Sequence, residues 1–98
     1  MNYEFHPEAL TELENAVLHY ATKRVGLAQR FFESVKVAIQ RVIEHPSSYA
    51  ILEQDVRRCL TRVFPYAVLY TIEPNCILIV AVMHCHQKPG YWRYRVAS

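Results

Sequence analysis

The stretch "RRCLTRVFPYAVLYTIEPNCILIVAVMH", Arg57–His84, decides the fold. Before it, apolar residues recur at helical spacing. Within it, they recur at every second position or run together. "RRCLTRVF" alternates, which predicts a strand with Arg58, Leu60 and Arg62 on one face and Cys59, Thr61 and Val63 on the other. Phe64-Pro65 interrupts it, and "YAVLYTI", Tyr66–Ile72, makes the next strand. Glu73-Pro74-Asn75-Cys76 has the composition of a tight turn, with proline at the favoured second position. "CILIVAVMH", Cys76–His84, is apolar on both faces and reads as the central strand of a covered sheet.

Toward the N-terminus the period lengthens. "NYEF" is a short strand with alternating aromatics. His6-Pro7-Glu8 then opens a helix, because proline suits the first helical position and a carboxylate suits the positive end of the helix dipole. Leu10, Leu13, Val17 and Tyr20 form the expected buried stripe of a helix over Pro7–Lys23, with Glu12, Asn15, His19 and Lys23 on the other side. Gly26 breaks the pattern as a left-handed residue. A second helix is predicted over Leu27–His45, with Phe31, Phe32, Val35, Ile39, Val42 and Ile43 inward, and Pro46 ends it. The connection is short enough to force an antiparallel hairpin. The order is β-αα-βββ-tail. This is an α+β fold in which a helical hairpin packs on a small antiparallel sheet, between a short N-terminal strand and a short C-terminal tail, as one domain over residues 1–98.

Composition sets the class. Half the chain is apolar (52%) and 12% is aromatic, enough to build a core and too much for a disordered segment. The longest apolar run is strand-sized, and "MNYEFHPEAL" lacks the layout of a signal peptide. Cys59, Cys76 and Cys85 form no CxxC pair and all lie in apolar segments, which predicts reduced, buried thiols in a cytoplasmic protein without a membrane partner. Charge is uneven. Residues 1–50 carry five basic and six acidic side chains, and residues 51–98 carry six and three, giving the net +2. A basic C-terminal half points to an acidic partner.

Near the end, "HCHQKPGYWRYR", His84–Arg95, concentrates chemistry. Arg58 and Arg62, on one strand face, would grip a phosphate, since guanidinium forks match its oxygens. His84 and His86 titrate near neutrality and would move protons. The bland reading of His84 is a residue that hydrogen-bonds the tail to the sheet. His84-x-His86 lacks a second ligand pair, so the reading calls for no metal and no cofactor. Tyr91 and Trp92 would cap an open end of the core, with Arg95 paired across the tail.

These residues resemble those of a known group. "YEFHPEALTELENAVLHYATKRVGLAQRFFESV", "RRCLTRVFPYAVLYTIE", "ILIVAVMH" and "PGYWRYR" are similar, in this order, to RelE/ParE-family toxins of bacterial type II toxin–antitoxin modules. The resemblance implies a helical hairpin on a sheet and neutralisation by a cognate antitoxin that wraps the toxin. It leaves the target open. One branch cleaves mRNA in the ribosomal A site without a metal, and the other inhibits DNA gyrase. For the RelE-like branch the matching catalytic residues would be Arg58, Arg62, His86 and Tyr91. A target- or antitoxin-binding surface would draw on Arg57, Arg58, Arg62, Lys88, Tyr91, Trp92 and Arg95. That branch commonly carries an arginine three residues after the position of His84, where this chain has Gln87. Together with the modest net charge, this favours the ParE-like reading, with a protein target such as gyrase. The alternatives are the RelE-like ribosome-dependent nuclease and an inactive member of the family.

Overall fold

In a computed structural model, which describes residues 1–96, the elements run β1 (Asn2–Phe5), α1 (Pro7–Ala21), α2 (Leu27–Glu44), β2 (Ile51–Glu53), β3 (Val56–Leu60), β4 (Tyr66–Ile72) and β5 (Cys76–His84), then a 3-10 turn over Arg93–Val96. The strands form one sheet in the order β1-β5-β4-β3-β2. Both helices lie on one face, and the C-terminal tail crosses the other. Among the described residues no helix is long and apolar enough to cross a membrane.

The helices begin where the sequence predicts. Pro7 takes the first position of α1, and the His6 imidazole accepts from the backbone N–H of Glu8 at 3.1 Å, filling one otherwise orphaned donor. Gly26, at φ 81°, makes the left-handed turn into α2 at no steric cost. The buried stripe of α1 is Ala9, Leu13 and Ala16, flanked by Val17 and Tyr20, and Leu10 is exposed. Leu10 thus lies off the expected stripe. The small Ala9 and Ala16 side chains are what let the helix approach the sheet. Phe32 similarly lies on the outer flank of α2, while Phe31, Val35, Ala38, Ile39 and Val42 face inward. Fully burying a side chain such as Phe31 contributes about 1.5–3 kcal/mol. At the connected end of the hairpin, Tyr20, Phe31, Phe64 and Tyr66 interlock, with ring centroids 4.8 Å apart for Phe31–Tyr66 and 5.0 Å for Tyr20–Phe64.

The sheet departs from the sequence reading in four respects. It has an additional short strand, β2. Its first strand pairs parallel, Asn2–Phe5 against Cys76–Ile79, so the sheet is mixed rather than all antiparallel. The central position belongs to β4, with β5 between β1 and β4. Finally, β5 is bulged. Leu69 pairs with Ala81 and Tyr70 with Ile79, leaving Val80 as the extra residue. Ile77, Ile79 and Val82 therefore pack under the helices, while Val80 and Ala81 both face the tail. Both faces of β5 are covered, as its unbroken apolar run predicts, and the bulge changes only which residues face which way. The cysteines are all free. Cys59 is buried, Cys76 is half-buried, and Cys85 is exposed because β5 ends one residue before it, contrary to the expectation of three buried thiols.

Candidate functional site

Where β1 ends, the outer edge of β5 loses its strand neighbour. The His6 N–H still donates to the Ile79 carbonyl at 2.9 Å, but beyond that point buried backbone groups need other partners. Glu12 and Arg95 supply them. The Glu12 carboxylate accepts from the Val82 N–H at 3.0 Å, and Arg95 donates to the Val80 carbonyl at 3.1 Å. The two side chains also form a bidentate pair, with both Nη–Oε distances 2.9 Å. Tyr91 donates its hydroxyl to Glu12 at 2.6 Å, and the Arg95 guanidinium lies over the Tyr91 ring, 5.1 Å from its centroid. The Arg95 side chain is 5% exposed. Burial raises the Tyr91 pKa, and the Glu12 carboxylate raises it further, so the phenol remains a proton donor at neutral pH. Burial acts to lower the Arg95 pKa, and the bonds to Glu12 and Tyr94 outweigh it, leaving a net upward shift. The arrangement is a charged latch that replaces a missing strand.

The rest of the tail is tied down around this latch. Cys85 N–H donates to the Pro65 carbonyl at 2.8 Å, and Gln87 N–H to the His84 carbonyl at 2.9 Å. Gly90 turns at φ 75°, and a Cβ there would run into the Arg93 guanidinium. That guanidinium pairs with Glu53 of β2 and, with the hydrogen bond as the main cause, holds the Glu53 carboxyl below its ordinary range. Trp92, 3% exposed, packs with Val56, Leu69 and Val80 in a second, smaller core.

The predicted arginines fall on separate surfaces. Arg57 is half-buried and donates to the carbonyls of Ser47 at 3.2 Å and Tyr49 at 2.8 Å, pinning the α2–β2 connection. Arg58 is exposed on the tail-bearing face of the sheet, two residues from Val56. Arg62 is not on that face. The Thr61 hydroxyl bonds with the carbonyls of Phe64 and Tyr66, each at 3.0 Å, folding the chain out of β3 before Arg62. Arg62 stands instead beside α2, where the Ser34 hydroxyl donates to its carbonyl at 3.0 Å. Val63 follows at φ 75°, a left-handed conformation that costs a β-branched residue about 1–2 kcal/mol.

The model of the family described as the ParE toxin of the type II toxin–antitoxin system parDE matches residues 3–89. The chain belongs to the ParE toxin family. Among solved structures it is similar to a chain of the chromosomal ParDE toxin–antitoxin system from P. aeruginosa, with TM-score 0.73 and 15% identity, covering 86% of this chain and 95% of that one. At that identity the likeness speaks for the fold. No curated protein matches the sequence.

In this ParE-family chain two of the residues expected of a nuclease, Tyr91 and Arg62, border different hollows. Tyr91 lines a small polar hollow of about 340 Å³ with His19, Tyr66, His84 and Gln87. His86 is exposed beside it, its N–H donating to the His84 Nδ1 at 3.0 Å, with ring centroids 5.3 Å apart. That bond makes His84 Nδ1 an acceptor, so His84 does fasten the tail turn. Arg62 borders a different groove, and Lys88 is exposed on the tail turn. Trp92 offers no surface, and Arg95 is paired with α1 rather than across the tail. Among the described residues no group of three His, Cys, Asp or Glu side chains is placed to hold a metal ion. Two residues escaped the sequence reading. Glu12 reads as a residue on the solvent side of α1, and its only signal is its place three residues after Ala9 and four before Ala16. Arg41 reaches from α2 to the Leu60 carbonyl at 2.7 Å and the Cys59 thiol at 3.1 Å. Nothing in its spacing distinguishes it from a solvated helix cation.

Proposed function

We propose that this toxin acts by ParE-type inhibition of a protein target such as DNA gyrase and is neutralised by a cognate antitoxin. The observation that carries the reading is the departure of Arg62 from the sheet face that bears Arg58, with Gln87 where the nuclease branch would place a cation. Metal-free cleavage by the 2′-hydroxyl needs a base, an acid and cations around one phosphate. The Tyr91 hydroxyl is already committed to Glu12, and Arg62 has left the face of Arg58.

Antitoxin docking is supported by the outer groove of the helical hairpin. Leu10, Leu13, Glu14, Val17, Leu18 and Phe32 line a hollow of about 560 Å³. Leu10, Leu18 and Phe32 are 42%, 64% and 40% exposed. An amphipathic antitoxin helix would bury these side chains at i, i+3, i+4 spacing. Induced expression with parallel readouts of plasmid supercoiling and mRNA integrity tests the target. The expected result is growth arrest with loss of supercoiling and intact mRNA. Codon-spaced mRNA cleavage with normal supercoiling would assign the chain to the nuclease branch instead. Harmless expression would mark it as inactive.

A further inference from the structure

The flank of α2 opposite the hairpin groove carries a second cleft. It holds about 590 Å³ between α2 and the β3–β4 turn, and its rim includes Arg30, Glu33, Val37, Arg62 and Val63. Three features set it apart. Val63 is held in a left-handed conformation at φ 75° and is 85% exposed, so an apolar, β-branched side chain is strained into solvent. The bonds of Thr61 to Phe64 and Tyr66, and of Ser34 to the Arg62 carbonyl, fix that geometry from both sides. A glycine would sit there without strain, so core packing does not explain the residue.

Second, the charge is unbalanced. Arg30 and Arg62 are exposed and have no ion-pair partner among the described residues, while Glu33 is engaged by Lys36 at 3.8 Å. Third, the floor is apolar. Val37 is 47% exposed beside Val63. A phosphate backbone would use the arginines and leave this floor wet. A peptide carrying an apolar anchor next to carboxylates would use both.

We infer that the Arg30–Arg62–Val63 cleft docks an acidic, apolar-anchored segment of the toxin's protein target. The inference rests on the proposal that the target is a protein, and it adds where that protein binds. The cleft and the hairpin groove lie on opposite flanks of α2 and share no lining residue, so an antitoxin helix in the groove leaves the cleft's own contacts untouched.

The test uses the full chain with purified DNA gyrase in a supercoiling assay, and growth arrest in cells in parallel. The variants are Arg30→Glu with Arg62→Glu, the matching pair Arg30→Gln with Arg62→Gln, and Val63→Gly. All three sites are exposed, and circular dichroism melting checks the fold. The expected result is graded. The Glu pair raises the half-inhibitory concentration by about tenfold or more, since like charges across an interface oppose docking, and the Gln pair has a smaller effect. Val63→Gly melts higher than wild type, because the strain is gone, yet inhibits several-fold less well. Folded Glu-pair and Val63→Gly variants that inhibit and arrest growth like wild type would overturn the inference. If wild type arrests growth but spares gyrase, the gyrase reading fails on its own. The cleft is then judged by growth arrest, where loss in the variants supports it and full arrest refutes it.

Discussion

Two arginines close the two sides of this sheet, and they do so differently. Arg95 reaches the Val80 carbonyl from the tail, is almost fully buried, and meets the Glu12 carboxylate in a bidentate pair. Arg41 reaches the Leu60 carbonyl from α2 and meets a thiol and no carboxylate, and its Nε has no partner. The Leu60 carbonyl stands at a solvent-facing margin, where water can replace the guanidinium. The Val80 carbonyl and the Val82 N–H are part-buried beside the tail, where Glu12 and Arg95 already occupy them. A charge becomes structural when the backbone groups it serves have no other partner.

The sharpest way to break this contrast is Arg95→Met. It leaves Glu12 charged and uncompensated beside the sheet, and we expect a loss of about 3–5 kcal/mol in chemical denaturation. Replacing both members, as Glu12→Met with Arg95→Met, should recover only part of that loss. Simple buried pairs often tolerate such a swap, but here two backbone groups would stay unpaired. Full recovery of the wild-type midpoint would show that the latch is an ordinary ion pair. Tyr91→Phe removes one hydrogen bond to a charged acceptor and should cost about 1.5–3 kcal/mol with an unchanged denaturant slope. Arg41→Met, by contrast, should cost less than about 1 kcal/mol, because solvent takes over its acceptor. A loss as large as that of Arg95→Met would erase the distinction between the two margins.

The smallest effect concerns Glu53. Arg93 depresses its folded pKa, so its contribution is present above the unfolded carboxylate pKa and is lost as pH falls through the folded one. Glu53→Gln should therefore flatten the acid limb of the stability profile slightly and leave neutral pH nearly unchanged. An acid limb that keeps its wild-type shape would show that the Arg93 contact contributes nothing there.

Much of this architecture was legible in the sequence. The helical hairpin follows from the Phe31–Val42 periodicity and from Gly26, and Trp92 was expected to cap a core and does. What escaped reading has physical reasons. The three residues of β2 are too few to show alternation. The direction of β1 depends on the whole chain path, not on its own residues. The Val80 bulge hides in a run where every side chain is apolar. Arg62 was read as the continuation of a strand because its neighbours alternate, yet the Thr61 hydroxyl offers the backbone a competing turn. Glu12 is the hardest case. Its carboxylate is half-buried because a distant arginine arrives to meet it, and no local pattern announces that meeting.

The latch also sets a timetable. Its guanidinium follows every α-helix and strand in the chain, so synthesis delivers the group that seals β5 after the strand it seals. Assembly of this domain therefore finishes only when Arg95 joins it. Until then an unsealed strand margin stands open, and any neighbouring polypeptide able to pair with it has its best opportunity.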